Sequence, residues 1–185
     1  GIARRIMLRG APSRAFQISD VMVDAKERAV LTRSGPFFLT AATFAELAAC
    51  AHAPFGYGFP NARVMRLAER TGLYDEVGAM SEIRWLPRPG RPRIATRVRH
   101  LPAPLTPQDR RVIERLWERM AEDLRDAVVG VRDVEYLQHR YLDHPHNHYE
   151  LLLVTSRFTG AARGVMVLRV HDGVCELLDL IAPLR

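Results

Sequence analysis

Two arginines and a glycine separate an apolar stretch from an alanine-rich one in Arg28-Ala29-Val30-Leu31-Thr32-Arg33-Ser34-Gly35-Pro36-Phe37-Phe38, and residue types in that order can build an anion site. Residues 17–23 before it have strand character, and Pro36 suits the first turn of a helix after it. Backbone N–H groups at a helix start have no partner within the helix, and the helix dipole adds partial positive charge there, so phosphate oxygens are favoured ligands. Arg28 and Arg33 add mobile charge to such a site. Judged on the loop alone, a surface turn with solvated arginines fits the same residues equally well.

Other residue sets that could do chemistry are thinner. His144-Pro145-His146-Asn147-His148, with His139 and Asp143 upstream, is the densest run of ligand types. A metal needs imidazoles that converge, whereas alternating histidines in a loop stiffened by proline point to opposite sides. The run therefore reads as a polar turn, and no metal is expected. There is no Gly-x-Ser-x-Gly elbow, and Ser34 beside Gly35 has no nearby histidine to activate it. Cys50 and Cys175 lie in apolar surroundings outside any Cys-x-x-Cys pair, which predicts buried free thiols in a reducing compartment. Trp85 and Trp117 sit in apolar-periodic segments and are expected in the core.

The elements that must position these residues belong to a chain of 185 residues, long enough for a packed core of one domain or two small ones. Hydrophobic residues at 48% exclude disorder. The net charge is +6 and Lys26 is the only lysine, so the positive charge is arginine. These arginines are interleaved with acids and form no basic tract with an aromatic platform, so no specific nucleic acid is expected as a partner. With no leader-like start and no apolar run of about 20 residues, the reading is a cytoplasmic protein with no membrane partner. The chain opens without methionine and enters strand-like sequence almost at once, as if cut from something larger.

Residues 5–9 and 15–24 read as strands around a Gly10-Ala11-Pro12-Ser13 turn. A helix from Pro36 to about residue 51 follows, then a short aromatic strand at 54–59. Asn61 reads as the N-cap of a second helix, Gly72 as its stop, and Val64, Leu67 and Ala68 as one face. Residues 82–86 read as another strand. Residues 87–107 are rich in proline and glycine and form a candidate linker with a short strand inside it. Thr106-Pro107-Gln108-Asp109 starts a helix whose Val112, Ile113, Leu116, Trp117, Met120 and Leu124 share one apolar face. A shorter helix at 132–141 and strands at 149–156, 164–170 and 174–181 complete the chain, with Asp172-Gly173 as a tight hairpin turn.

Strand, basic glycine-containing loop, alanine-rich helix, aromatic strand, then Gly58-Phe59-Pro60-Asn61 opening a helix that ends Arg70-Thr71-Gly72-Leu73: this order resembles the later half of a GNAT-type N-acetyltransferase, best over residues 16–74. The resemblance implies an α/β fold with a mixed, mostly antiparallel sheet flanked by helices. It implies acetyl-CoA or another acyl-CoA as cosubstrate and transfer of the acyl group to a primary amine on a small molecule or peptide. By position, Val21, Met22 and Val23 would face the pantetheine arm, and Arg28, Arg33, Ser34 and Gly35 the pyrophosphate. Asn61 would stand at the mouth of the flanking helix. Ala29 takes the place of the family's first loop glycine, and Ala68 that of the tyrosine which in many members protonates the departing thiolate. Tyr74 is the nearest remaining phenol, six residues further on and past the helix end, where it faces another way. The reaction also needs a base for the acceptor ammonium, for which Asp20 is the candidate among Asp20, Asp24 and Glu46.

Arg132-Asp133-Val134-Glu135-Tyr136-Leu137, Arg140-Tyr141, His144-Pro145 and Leu178-Asp179 resemble the early half of a further GNAT domain in bacterial tandem members. The domain expectation is thus the late half of one such domain over 1–86, the linker over 87–107, and the early half of the next over 108–185. A fragment of that kind is active only if its halves are completed. Either they pair within one chain as a permuted sheet, or two chains form a homodimer that completes the sheet. A non-catalytic GNAT-like scaffold or partner-binding domain is the alternative reading, and Ala68 is the residue that favours it.

Overall fold

A computed structural model describes residues 1–19, 21–27, 32–50, 53–86, 90 and 94–184. The fold class is α/β, with mixed, mostly antiparallel pairing and flanking helices, as the sequence implied. The chain divides into two compact units: Gly1–Ile6 with Pro12–Arg88, and Met7–Ala11 with Pro89–Arg185.

In the first unit, β1 (Ile2–Leu8) and β2 (Ala11–Ile18) neighbour each other, and Arg4 Nε donates to Gln17 Oε1 across them at 2.8 Å. The turn between them falls at Arg9-Gly10, one residue earlier than the sequence suggests; both have positive φ, 48° and 77°, as a two-residue hairpin turn requires. α1 (Pro36–Cys50) carries the chain over to β3 (Gly56–Gly58), which lies parallel to β2 with Phe16 opposite Gly56 and Ile18 opposite Gly58. Phe16 meets Phe44 of α1 edge to face at 5.4 Å. Gly58 suits the pairing, since a Cβ there would stand 3.0 Å from the Ile18 carbonyl oxygen.

α2 (Ala62–Thr71) has the predicted ends: the Asn61 side chain accepts from the N–H groups of Arg63 and Val64, and Gly72 stops the helix at φ 74°. There Gly72 N donates to Glu69 O at 3.0 Å and Leu73 N to Ala68 O at 2.8 Å, the paired bonds of a left-handed glycine cap. The expected strand at 82–86 is absent; these residues are irregular, and Ile83, Trp85 and Leu86 are 67%, 74% and 90% exposed. A strand is stable only against a partner, and among the described residues none pairs with this segment. Trp85 is therefore not a core residue, while Trp117 is.

The second unit holds the antiparallel sheet β4-β6-β7-β8, made of β4 (Thr96–His100), β6 (Glu150–Ser156), β7 (Ala162–His171) and β8 (Val174–Ile181). Asp172-Gly173 forms the predicted tight turn, with φ 48° and 75°. β5 (Val128–Gly130) also belongs to this unit, and beside it Arg9 N donates to Ala127 O at 3.0 Å. α3 (Pro107–Asp123) brings Ile113, Leu116 and Trp117 onto Leu151, Leu153, Val165, Val167 and Ile181, and α4 (Val134–Leu137) adds its two ends. A single π-helical turn, Gln138–Leu142, continues α4 and buries Tyr141. Both cysteines are free, as read, but exposed rather than buried: Cys50 ends α1, and Cys175 follows the β7–β8 turn.

A Cβ at Gly164 would lie 2.9 Å from the Ile181 carbonyl oxygen, which belongs to the neighbouring strand and cannot yield easily. Gly164→Ala is expected to cost about 1–3 kcal/mol, read as a lower urea midpoint at unchanged slope. A midpoint equal to that of the parent chain would contradict the close approach.

At the start of α3 the buried Asp109 carboxylate pairs with Arg99, accepts from the Thr106 hydroxyl at 2.6 Å, and has its own N–H capped by Thr106 at 3.1 Å. Burial pushes this carboxyl up, but the Thr106 and Arg99 hydrogen bonds and the Arg99 charge outweigh it and hold the group below its ordinary value. A lowered folded pKa contributes stability that is fully present above the unfolded value, about 3.9, and is lost as pH falls through the folded one. Asp109→Asn should therefore be less stable than the parent at pH 7 by denaturant titration, with the gap closing as pH falls below the unfolded value and through the lowered folded one.

Candidate functional site

The site in the first unit begins with the direction of two strands. Because β2 and β3 run parallel, both strands finish at the same end of the sheet, ahead of residues 21–23 and 59–61. A cavity of 550 Å³ there is lined by Val21, Met22 and Val23 together with residues of α2. Phe37, Val64 and Leu67 add apolar surface, Asn61 stands at the helix start, and Arg63, Arg66, Arg70 and Glu27 supply charge. A ligand with an apolar arm and an anionic end fits such a lining, and the volume is within the range of small-molecule sites.

Four of the predicted residues, Val21, Met22, Val23 and Asn61, are thus brought together. The others are placed elsewhere. Ser34 shares a hydrogen bond with the Thr32 hydroxyl at 2.8 Å. Gly35 is buried, its N–H donating to Thr32 O at 3.0 Å and its carbonyl accepting from Leu39 N at 3.1 Å. Arg33 stands at the far end of α2, where its Nη2 is 3.7 Å from the place a Cβ on Gly72 would take, and its guanidinium is 6.0 Å from the Phe38 ring centre. A cation is favoured there because the last carbonyls of a helix carry partial negative charge. Arg28 and Asp20 lie outside the described residues.

The acid side of the chemistry is sparse. Ala68 is fully buried in α2 and supplies no proton. Tyr74 is half-buried outside the cavity lining, and burial pushes its phenol up, away from the range of a ready acid. Asp24 accepts from Lys26 N at 2.9 Å and its carbonyl takes Glu27 N at 3.0 Å, which makes it a turn residue, and Glu46 is exposed on α1. The arginines that do line the cavity, Arg63, Arg66 and Arg70, are three and four residues apart. That spacing is legible in the sequence as one face of the helix, next to the apolar Val64 and Leu67.

The second unit gathers a different set. The Asp179 carboxylate is 8% exposed and receives four donors: Arg132 Nε at 2.6 Å and Leu180 N at 2.9 Å on Oδ1, Tyr136 Oη at 2.8 Å and Tyr141 Oη at 3.1 Å on Oδ2. Arg140 Nε donates to Tyr141 Oη at 3.2 Å. Burial, then Tyr141 and Asp179, push the Tyr136 phenol far up; burial also raises Tyr141, partly offset by Tyr136 and Arg140. Both phenols act as donors to the carboxylate, so the cluster ties α4 and the π-helical turn to β8. Tyr149 continues the aromatic contacts, 5.1 Å from Tyr141 and 5.4 Å from His144.

His144 in turn accepts at Nδ1 from the N–H groups of His146 and Asn147 at 3.2 and 3.0 Å, so it shapes the polar turn the sequence suggested. Among the described residues no group of three or more His, Cys, Asp or Glu could hold a metal ion. A groove of 580 Å³ beside α3 and α4 is lined by Arg110, Glu114, Gln138 and Asp143, whose polar groups are engaged: Arg110 with Gln138 at 3.3 Å, Gln138 with Asp143 at 2.6 Å, Glu114 with Val134 N at 3.0 Å. Among the described residues no helix is long and apolar enough to cross a membrane. Compared with known proteins, the chain matches no family model and no curated sequence.

Removing the Asp179 carboxylate strands a partly buried guanidinium and two phenols at once. Asp179→Ala is expected to cost about 3 kcal/mol and Tyr136→Phe about 1 kcal/mol in denaturant titration. Equal and small effects of both would mean that the cluster does not anchor the turn.

Proposed function

We propose that the cavity of the first unit binds an acyl-CoA, and that the chain carries the acyl-CoA half of a GNAT-type N-acyltransferase acting on a primary amine of a small molecule or peptide. The observation that carries the reading is the meeting of Val21, Met22, Val23 and Asn61 around one cavity. An extended segment with apolar side chains suits a pantetheine arm, and cationic α2 suits phosphates. In the reaction the amine nitrogen, freed of a proton by a base, attacks the thioester carbonyl; the carbon–sulfur bond breaks, and the thiolate leaves to be protonated. Asp20 is the base this reading assigns.

A second reading, a non-catalytic scaffold that keeps the binding cavity, is favoured by one observation: Ala68 is buried where an acid would be needed, and Tyr74 does not line the cavity. The two readings share a ligand and differ in turnover. Acetyl-CoA at a hundred times its dissociation constant should stabilise the chain by about 2.7 kcal/mol, visible as a rise in Tm. No rise would remove both readings. A rise together with release of free thiol in the presence of amines supports the transferase, and a rise without it supports the scaffold.

A further inference from the structure

We infer that the anion contacts of the first unit's cavity are made by a row of guanidinium groups on α2, Arg63, Arg66 and Arg70, and that its ligand carries at least two oxyanions, spaced apart, on an apolar arm. This deepens the acyl-CoA reading and relies on it only for the ligand's name.

The row follows from helix geometry. Steps of three and then four residues keep all three Cα atoms within an arc of about 60° and spread them over roughly 10 Å along the axis. All three line the same cavity as Val21 to Val23, and among the described residues Glu27 is the carboxylate in that lining. Among the described residues no carboxylate pairs with any of the three. Like charges at these spacings repel and weaken a helix by about 0.2–0.5 kcal/mol per pair, a cost that a bound anion removes.

Among the described residues the alternative donors are already engaged. Asn61 takes the N–H groups of Arg63 and Val64, so the α2 start has little left to offer an anion. The Gly35 N–H and the Ser34 hydroxyl are bonded to Thr32, and Arg33 stands at the other end of α2. Among the described residues, recognition of charge therefore falls to the helix. Guanidinium forks bind phosphate and carboxylate oxygens in pairs, and a row spread over roughly 10 Å suits separated anions better than a single one. Phosphates of a nucleotide-linked thioester and carboxylates of an acidic acyl chain share that chemistry.

The test is calorimetric titration of the full chain with coenzyme A, pantetheine, inorganic tripolyphosphate and adipate. Arg63→Gln/Arg66→Gln/Arg70→Gln should weaken coenzyme A at least about thirtyfold and leave pantetheine unchanged, while Arg111→Gln/Arg115→Gln on α3 keeps the parent affinity. Glutamine is nearly as good a helix former as arginine, and the single substitutions, each expected to weaken binding several-fold, serve if the triple variant does not fold. Coenzyme A binding within about threefold of the parent in the triple variant, or an equal loss in the α3 control, overturns the row. If the parent ignores coenzyme A yet binds tripolyphosphate or adipate with the same dependence on the row, the row stands and the acyl-CoA reading falls. Tripolyphosphate then marks a phosphate ligand, and adipate a carboxylate one. A parent chain that binds none of the anions overturns the row as well.

Discussion

The parallel pairing of β2 with β3 is the constraint on which the candidate site depends. Three register positions, Phe16 with Gly56, Gln17 with Tyr57 and Ile18 with Gly58, make both strands end at one edge. Antiparallel strands would finish at opposite ends, which would part Val21 to Val23 from Asn61 at the start of α2. Glycine at 58 matters here, since backbone of the neighbouring strand stands where a side chain would begin. α1 is the crossover that a parallel pair needs, and its Phe44 ring seats it on Phe16.

The second unit uses its ionisable groups differently. Asp179 has its carboxylate fully supplied with donors, and the two phenols it holds are pushed away from neutrality by burial and by that negative charge. Such a cluster fixes geometry: it fastens the π-helical turn to the edge strand β8 over a core of Ile113, Leu137, Val165, Val167 and Ile181. The first unit's cavity is the opposite case: among the described residues no carboxylate pairs with its lining arginines, and Glu27 is the acid in the lining. A charge with its partners in place serves the fold, whereas charges left facing a cavity are available to a ligand.

Much of the local structure was legible from residue types. Asn61 and Gly72 bound α2 as read, Thr106 and Pro107 start α3, and Asp172-Gly173 makes its turn, because each of these acts on backbone groups within a few residues. Legibility failed where an element needs a distant partner. Residues 82–86 have strand character but no strand beside them among the described residues, and Trp85 is left exposed although its neighbours are apolar. The cysteines failed for the same reason, since an apolar neighbourhood in sequence does not say which side of α1 or β8 meets water.

The candidate site divides along that line. By itself the sequence determined the helix that carries Arg63, Arg66 and Arg70, the cap at Asn61, and the apolar run at Val21 to Val23, all set by short-range periodicity and capping. Only the tertiary structure decided that these meet at one cavity, that Arg33 goes to the far end of α2, and that Arg132, Tyr136 and Tyr141 converge on Asp179, more than 35 residues further along the chain. The physical reason is that capping and periodicity act over a turn or two of backbone. Which side chains share a cavity or a buried carboxylate is settled by strand direction and packing between segments that the sequence keeps far apart.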